Sequence, residues 1–243
     1  LKQNSKIIMI GILGGMGTQA GLDFCNKLAK INRGKLDQDY PMFVLYNKSN
    51  TPKRPENIKK YYNVLNALVE GCKRLQKNGC KFIVMPCNTA HYWYDDLSKK
   101  IKIPILSMPK EVYLETLKSC KKNSKIGILS TEATLKTKVY NRYFDKSFNL
   151  VSPASSLQKS SVNRSIKFVK MGKIKEAEKA IRPAVNYLMK IKCKKIILGC
   201  TELPIAIFAY KSFKKIKQSK VFVDPNLLVA IVSMKKYKKL KKQ

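Results

Sequence analysis

Two cysteines, Cys87 and Cys200, each end a short apolar run and stand directly before polar residues. A thiol at the N-terminus of a helix feels the positive end of the helix dipole, which lowers its pKa below the free value of about 8.5. Two such thiols on opposite sides of one carbon atom can remove a proton from one face and return a proton to the other. Backbone N–H groups at the same turns can bind a carboxylate. The polar residues that follow the two thiols are Asn88, Thr89, Thr201 and Glu202.

The segments around these cysteines alternate between short β-type apolar runs and amphipathic stretches of helical period. This alternation is typical of an α/β protein with parallel strands and crossover helices. We predict strands at 6–13, 42–47, 82–85, 103–107, 125–130, 195–198 and 220–223. We predict helices at about 17–32, 56–78, 90–100, 109–121, 132–144, 159–170, 173–191 and 225–240.

A weak internal repeat indicates that the chain contains two similar halves. The segment 7–17 resembles 125–131, since each is an apolar run that ends in small residues, and 82–88 resembles 196–201, since each is a buried-type run that ends in cysteine. The two pairs occur in the same order and at similar spacing. We therefore expect two Rossmann-like α/β domains with mainly parallel sheets, related by a pseudo-twofold axis. Because function gathers at the carboxyl ends of parallel strands, we expect the active site in the cleft between them. The expected domains are 1–106, completed by 217–243, and 107–216.

The charge balance is strongly basic, with 50 Lys and Arg against 15 Asp and Glu and a formal net charge of +35. Only six of the basic residues are Arg, the residue on which base recognition chiefly relies. The lysines are spread over the chain, with one cluster at 235–242. We interpret most of this charge as solvated surface and expect no specific nucleic-acid partner, although a basic nucleic-acid-binding protein is a minority alternative.

The seven cysteines and the single histidine favour neither a disulfide framework nor a metal site. The number of cysteines is odd, no C-x-x-C pair occurs, and His91 is the only imidazole. No apolar run reaches the roughly 18–20 residues that span a bilayer, and the first residues pass into a strand-like run rather than a signal segment. We expect a soluble, cytoplasmic protein with no membrane contact.

A dinucleotide-binding enzyme is a second function class, because 15–20 fit the pattern G-x-G-x-x-A. That class expects an acidic residue at the end of the second strand to bind the ribose. Here the second strand ends at Asn47, and Asp37 and Asp39 precede it. The fingerprint is incomplete, so we expect no nicotinamide chemistry.

The segments 84–91, Val-Met-Pro-Cys-Asn-Thr-Ala-His, and 196–204, Ile-Ile-Leu-Gly-Cys-Thr-Glu-Leu-Pro, resemble the two active-cysteine signatures of the aspartate/glutamate racemase superfamily. The opening 11–17 and the stretch 37–41 resemble its aspartate racemase branch. The motifs keep the family's order and spacing across almost the whole chain.

The resemblance implies a cofactor-independent amino-acid racemase that interconverts L- and D-aspartate, with Cys87 and Cys200 as the two bases. It also implies that Asn88, Thr89 and Thr201 cradle the α-carboxylate and the ammonium group. Which thiol serves which enantiomer is left open.

The resemblance further assigns the recognition of the distal carboxylate to Arg54 and Lys170. The family usually has Pro-Asp-Arg before this arginine, whereas this chain has Lys53, which removes a carboxylate that would orient the guanidinium. Specificity for glutamate or for a broader set of amino acids therefore stays open, as does a cysteine-dependent decarboxylase or isomerase of the same fold. The resemblance also suggests a homodimer.

Four further residues carry two interpretations each. Met16 is expected to form cleft wall or core, and Thr131 to line the cleft or to cap the following helix. Glu202 is expected to support Cys200 or to complement a helix dipole. His91 is expected to be structural or to tune Cys87.

Overall fold

A computed structural model of the protein describes residues 7–32, 34, 36–54, 58–209 and 220–243. The chain divides into two compact units, the first formed by Leu1–Met108 and Asn226–Gln243 and the second by Pro109–Pro225. Each unit contains a four-stranded parallel sheet. The expected α/β class with two similar halves is confirmed.

The first sheet has the strand order β2-β1-β3-β4. Its strands are β1 (Met9–Gly14), β2 (Met42–Asn47), β3 (Phe82–Val84) and β4 (Ile105–Leu106). The helices of this part of the chain are α1 (Thr18–Ile31), a 3-10 helix (Asp37–Asp39), α2 (Tyr61–Lys77), a second 3-10 helix (Thr89–Trp93) and α3 (Tyr94–Lys100).

Strand β3 is buried on both faces, and this is what fixes the position of the segment that follows it. Phe82 and Val84 pack in one apolar cluster, whereas Ile83 and Met85 pack in a separate cluster. Side chains that alternate between two cores are typical of a parallel strand covered by helices on both sides. The residues just after β3 therefore begin from a rigid support.

The second sheet repeats this order as β6-β5-β7-β8. Its strands are β5 (Lys125–Ser130), β6 (Asn149–Val151), β7 (Lys195–Gly199) and β8 (Phe222–Val223). The helices are α4 (Met108–Ser119), α5 (Glu132–Lys136), α6 (Asn141–Phe144), α7 (Ser155–Leu157), a π-helix (Gln158–Asn163), α8 (Arg164–Lys170), α9 (Ile174–Lys190) and α10 (Leu203–Ala209).

The helix predicted at 132–144 is wrong as a single element. It is divided into α5 and α6, and Lys138 between them has a φ of 52°. A non-glycine residue with positive φ interrupts a right-handed helix. Thr137 donates a hydrogen bond of 2.7 Å from its hydroxyl to the Ala133 carbonyl, so the last turn of α5 closes locally.

The last helix, α11 (Pro225–Lys241), belongs almost entirely to the first unit and packs in its core through Val229, Ala230, Met234 and Tyr237. The clustered lysines of the sequence lie in the last turns of this helix and just beyond it. Within the described residues, no helix has both the length and the apolar character needed to cross a bilayer.

The turn after β1 depends on a glycine. Gly15 has a φ of 86°, and a Cβ atom there would lie 2.3 Å from the carbonyl carbon of Lys48. Gly172 has a similar φ of 74° but no atom within 4 Å of such a Cβ. The two glycines thus share the conformational requirement, and only Gly15 has the close backbone contact.

We expect Gly15→Ala to destabilise the protein more than Gly172→Ala. Both variants incur the cost of a left-handed backbone, about 1–2 kcal/mol, and Gly15→Ala additionally forces apart two backbone segments. Urea unfolding of the two variants and the parent protein measures the difference. Equal losses of unfolding free energy would contradict the close packing of the β1 turn on Lys48.

Candidate active site

Cys87 lies two residues beyond Met85, in a turn that leaves the buried strand β3. Its backbone N–H donates a 2.7 Å hydrogen bond to the Met85 carbonyl, and its side chain is buried. Asn88 and Thr89, which follow it, are also buried. The helix predicted at about 90–100 begins at Thr89 as a 3-10 helix, and the Asn88 side chain makes no capping hydrogen bond. Helix capping therefore does not account for this asparagine.

His91 joins the Cys87 turn to the segment that follows β4. Its Nδ1 atom is 2.9 Å from the Cys87 carbonyl oxygen, and the Met108 backbone N–H donates to Nε2 at 3.1 Å. The ring is 1% exposed. The structural interpretation of His91 is thus supported by direct contacts, and these contacts also reach the backbone of Cys87.

Arg54 is oriented by two carbonyl oxygens instead of a carboxylate. Its Nη2 donates to the Met16 carbonyl at 2.6 Å, and its Nη1 donates to the Pro52 carbonyl at 3.2 Å. Lys53 is exposed. Within the described residues, the guanidinium is therefore held against the β1 turn by backbone carbonyl groups alone.

Met16 contributes to this arrangement in two ways. Its side chain is buried in the core of the first unit, and its carbonyl accepts the bond from Arg54. The Met16 side chain is therefore a core residue, as the second of its two interpretations expected.

Cys200 directly follows β7 and lies beside a carboxylate. Its Sγ donates a hydrogen bond to Glu202 Oε2 at 3.0 Å, and the Thr201 hydroxyl lies 3.4 Å from the same oxygen. All three residues are buried. These contacts favour the interpretation that Glu202 interacts directly with Cys200 over the interpretation that it only complements a helix dipole.

The expectation that the dipole lowers the pKa of this second thiol is wrong for Cys200. Burial raises the pKa of Cys200 well above its usual value, and the charge of Glu202 and the hydrogen bond to it raise it further. The helix that follows, α10, has seven residues. Loss of hydration and a neighbouring negative charge outweigh the helix terminus here, so the thiol is held in its protonated form.

Lys170 stands at the end of α8 and is a cation close to this pair. Its Nζ lies 4.0 Å from Glu202 Oε1, and its side chain is 58% exposed. Its charge lowers the pKa of Cys200, but by less than the raising effects of burial and of Glu202. Lys170 thus lies within reach of the cysteine site of the second unit.

Thr131 caps α5. Its Oγ1 accepts a hydrogen bond of 3.2 Å from the Thr134 backbone N–H and lies 3.0 Å from the Thr134 hydroxyl. The capping interpretation is therefore the one that the hydrogen bonds describe. Sequence reasoning missed Gln158. Its side-chain amide donates a 2.8 Å hydrogen bond to the carbonyl of Ser130, the last residue of β5, just before Thr131.

Sequence reasoning also missed Tyr140, which interacts electrostatically with Cys200 and with Asp224. Tyr140 is 1% exposed, and burial raises the pKa of its phenol well above the usual value, with smaller contributions from the charges of Asp224 and Cys200. In the sequence, Tyr140 belongs to an amphipathic stretch and carries no signal that separates it from a core aromatic residue. Its nearness to the thiol is a property of the fold alone.

The model of the Asp/Glu/Hydantoin racemase family matches residues 13–229 of this chain. The broad specificity amino-acid racemase RacX of Bacillus subtilis is 28% identical over 202 residues, which cover 80% of this chain and 86% of that protein. The glutamate racemase of Carboxydothermus hydrogenoformans is 29% identical over 172 residues, 68% of this chain and 58% of that protein. The structure of Picrophilus torridus aspartate racemase superposes with a TM-score of 0.78 and 30% identity, covering 95% of this chain and 98% of that one.

Removal of the negative charge beside Cys200 should lower the pKa of its thiol. We expect Glu202→Gln to shift the pH dependence of Cys200 alkylation to lower pH, because the thiolate no longer faces a carboxylate. Iodoacetamide labelling followed by peptide mass spectrometry measures this residue separately from the other cysteines. Glu132→Gln, which changes an acid in the first turn of α5, is the control. An unchanged profile for Glu202→Gln would show that the carboxylate does not govern this thiol.

Proposed function

The chain belongs to the Asp/Glu/hydantoin racemase family and is an amino-acid racemase, and on this premise we propose that it interconverts L- and D-aspartate through Cys87 and Cys200. The observation that carries the proposal is the equivalent placement of the two thiols. Both thiols are buried. Cys87 comes after β3, which pairs with β1, and Cys200 comes after β7, which pairs with β5. A buried threonine follows within two residues in each case, Thr89 after Cys87 and Thr201 after Cys200. The fold thus supplies the same reactive group twice.

In the proposed reaction, one thiolate removes the α-proton and the opposite thiol supplies a proton to the other face. The C–H bond breaks toward the first sulfur, the electron pair remains on the α-carbon, and the S–H bond of the second cysteine breaks as the new C–H bond forms. Burial and Glu202 favour the protonated state of Cys200. In this state Cys200 can act as the proton donor in one of the two directions of racemisation. Cys87 is then the acceptor, and the two roles are exchanged after each turnover.

This chemistry requires each sulfur to approach the α-carbon to about 3–3.5 Å from opposite faces. We propose Asn88, Thr89 and Thr201 as the groups that bind the α-carboxylate and the ammonium. These side chains are buried beside the two thiols, where a hydrogen bond to a charged group contributes about 1.5–3 kcal/mol. The reaction as proposed uses only side chains and needs no cofactor.

Aspartate is the proposed substrate because two cations are available for a second carboxylate. Arg54 presents a planar fork and Lys170 a point charge, and each suits the single negative charge of a side-chain carboxylate. The similarity to the Picrophilus torridus aspartate racemase supports this choice. A broader amino-acid range is the second candidate, and the similarity to RacX favours it.

Two thiols also favour racemisation over the decarboxylase or isomerase alternatives. A proton that leaves one face and returns on the other needs a group on each side, whereas one-sided chemistry needs only one. A homodimer, which the family resemblance suggested, stays a prediction.

We expect Cys87→Ser and Cys200→Ser each to lower the racemisation of aspartate by at least about a hundredfold, the usual range for loss of a general acid or base. Chiral chromatography of reactions started separately from L- and D-aspartate measures this loss. Cys120→Ser, which alters a half-buried cysteine in neither active-cysteine segment, should keep the parental rate. Retention of most activity in either active-site variant, with its fold intact by circular dichroism, would disprove the two-thiol mechanism.

We expect Lys170→Met to raise KM for aspartate about tenfold or more, because a charge-assisted contact to the distal carboxylate is lost. The inhibition constant of succinate, which has no α-ammonium and is not racemised, should rise by a similar factor. An effect that acts only through Glu202 and Cys200 would instead change kcat and leave succinate binding unaltered.

Lys167→Met is the matched control, since Lys167 is exposed on the same helix. Unchanged succinate inhibition in Lys170→Met would remove Lys170 from substrate recognition.

A further inference from the structure

The single histidine of the chain is buried where a hydrogen-bonded ring can set the position of a reactive turn. From these contacts we propose that His91 is a positioning residue that fixes Cys87 for proton transfer through the hydrogen bond from Nδ1–H to the Cys87 carbonyl. This inference rests on the proposed two-cysteine function. It assigns to His91 a role in the alignment of one of the two thiols.

The hydrogen-bond partners define which ring nitrogen carries the proton. The Met108 backbone N–H can only donate, so Nε2, 3.1 Å away, must accept with its lone pair. Nδ1 of the neutral ring then carries the hydrogen and donates it to the Cys87 carbonyl at 2.9 Å. The Leu106 carbonyl is farther from Nε2, at 3.4 Å, and as an acceptor it cannot pair with a lone pair. Both nitrogens are thereby engaged in one tautomer.

The ring connects two backbone segments that are otherwise separate in sequence. One is the Cys87 turn after β3, and the other is the start of α4 at Met108, the last residue of the first unit before the chain enters the second. Tyr94 adds a second connection between these segments. Its ring stacks on the His91 ring with centroids 6.0 Å apart, and its hydroxyl donates a 3.0 Å hydrogen bond to the Ile105 carbonyl. The turn that carries Cys87 is therefore anchored on the β4–α4 segment.

Such anchoring matters because proton transfer between sulfur and carbon is sensitive to distance. A displacement of about 1 Å can lower a rate by about a hundredfold even when no reacting group is changed. Cys87 lies beyond the last residue of β3, so the sheet register alone does not fix its carbonyl. The hydrogen bond from His91 acts on the peptide group of Cys87 itself.

Two substitutions separate the two hydrogen bonds of the ring. In His91→Asn the amide nitrogen can occupy the position of Nδ1 and donate to the Cys87 carbonyl, while the acceptor for Met108 is lost. In His91→Gln the amide oxygen can occupy the position of Nε2 and accept from Met108, while the donor to Cys87 is lost. Each variant thus loses one buried hydrogen bond, and similar losses of stability are expected.

We expect His91→Asn to keep kcat within about threefold of the parent and His91→Gln to lower kcat by at least about tenfold, with KM for aspartate little changed in both. The ratio of the alkylation rates of Cys87 and Cys200, measured by peptide mass spectrometry, should change in His91→Gln and not in His91→Asn. Thermal unfolding of both variants measures the stability loss and separates it from the change in rate.

Equal kcat values and equal alkylation ratios in the two variants would overturn the positioning role and leave His91 as a structural residue. A parent protein that does not racemise aspartate would instead disprove the proposed function. The alkylation ratio needs no turnover, so it tests the position of Cys87 in either case.

Discussion

Each of the two sulfur atoms lies just beyond a strand that cannot shift without opening a buried parallel sheet, and the remaining site features depend on this constraint. Strand β3 pairs with β1, and β7 pairs with β5, in sheets of the same order. The apolar side chains of β3 alternate between two cores, so a slip by one residue would move each side chain into the opposite core, where it does not fit the packing. The polar residues after the cysteines can then be placed by short turns instead of long loops.

The two thiols share a scaffold but have different surroundings. Cys200 is buried and hydrogen-bonded to Glu202, and both features favour its protonated form. Cys87 is followed by a 3-10 helix, and its carbonyl accepts from the neutral ring of His91. A racemase must begin each direction with one base and one acid, and unequal surroundings provide such a starting state while leaving both sulfurs able to exchange roles.

The sequence predicted the features that depend on local pattern and missed those that depend on tertiary neighbours. Strands β2 and β5 lie where alternation and apolar runs placed them, and both cysteines lie at strand ends. Strand β6 was missed because three partly exposed residues are too short for a periodic signal. The raised pKa of Cys200 arises from burial and from a carboxylate, and neither desolvation nor distance can be read from residue spacing.

The central claim is that two separate groups carry the proton on the two faces of the α-carbon. Its most direct test is to start the reaction from unlabelled L-aspartate in deuterated water and to follow the α-hydrogen of both enantiomers at early times by mass spectrometry after chiral separation. We expect the D-aspartate that first forms to contain one α-deuterium while the remaining L-aspartate still holds its original hydrogen, because different sulfurs remove and supply the proton. Early D-aspartate that retains the substrate hydrogen would indicate a single shared base and would contradict this mechanism.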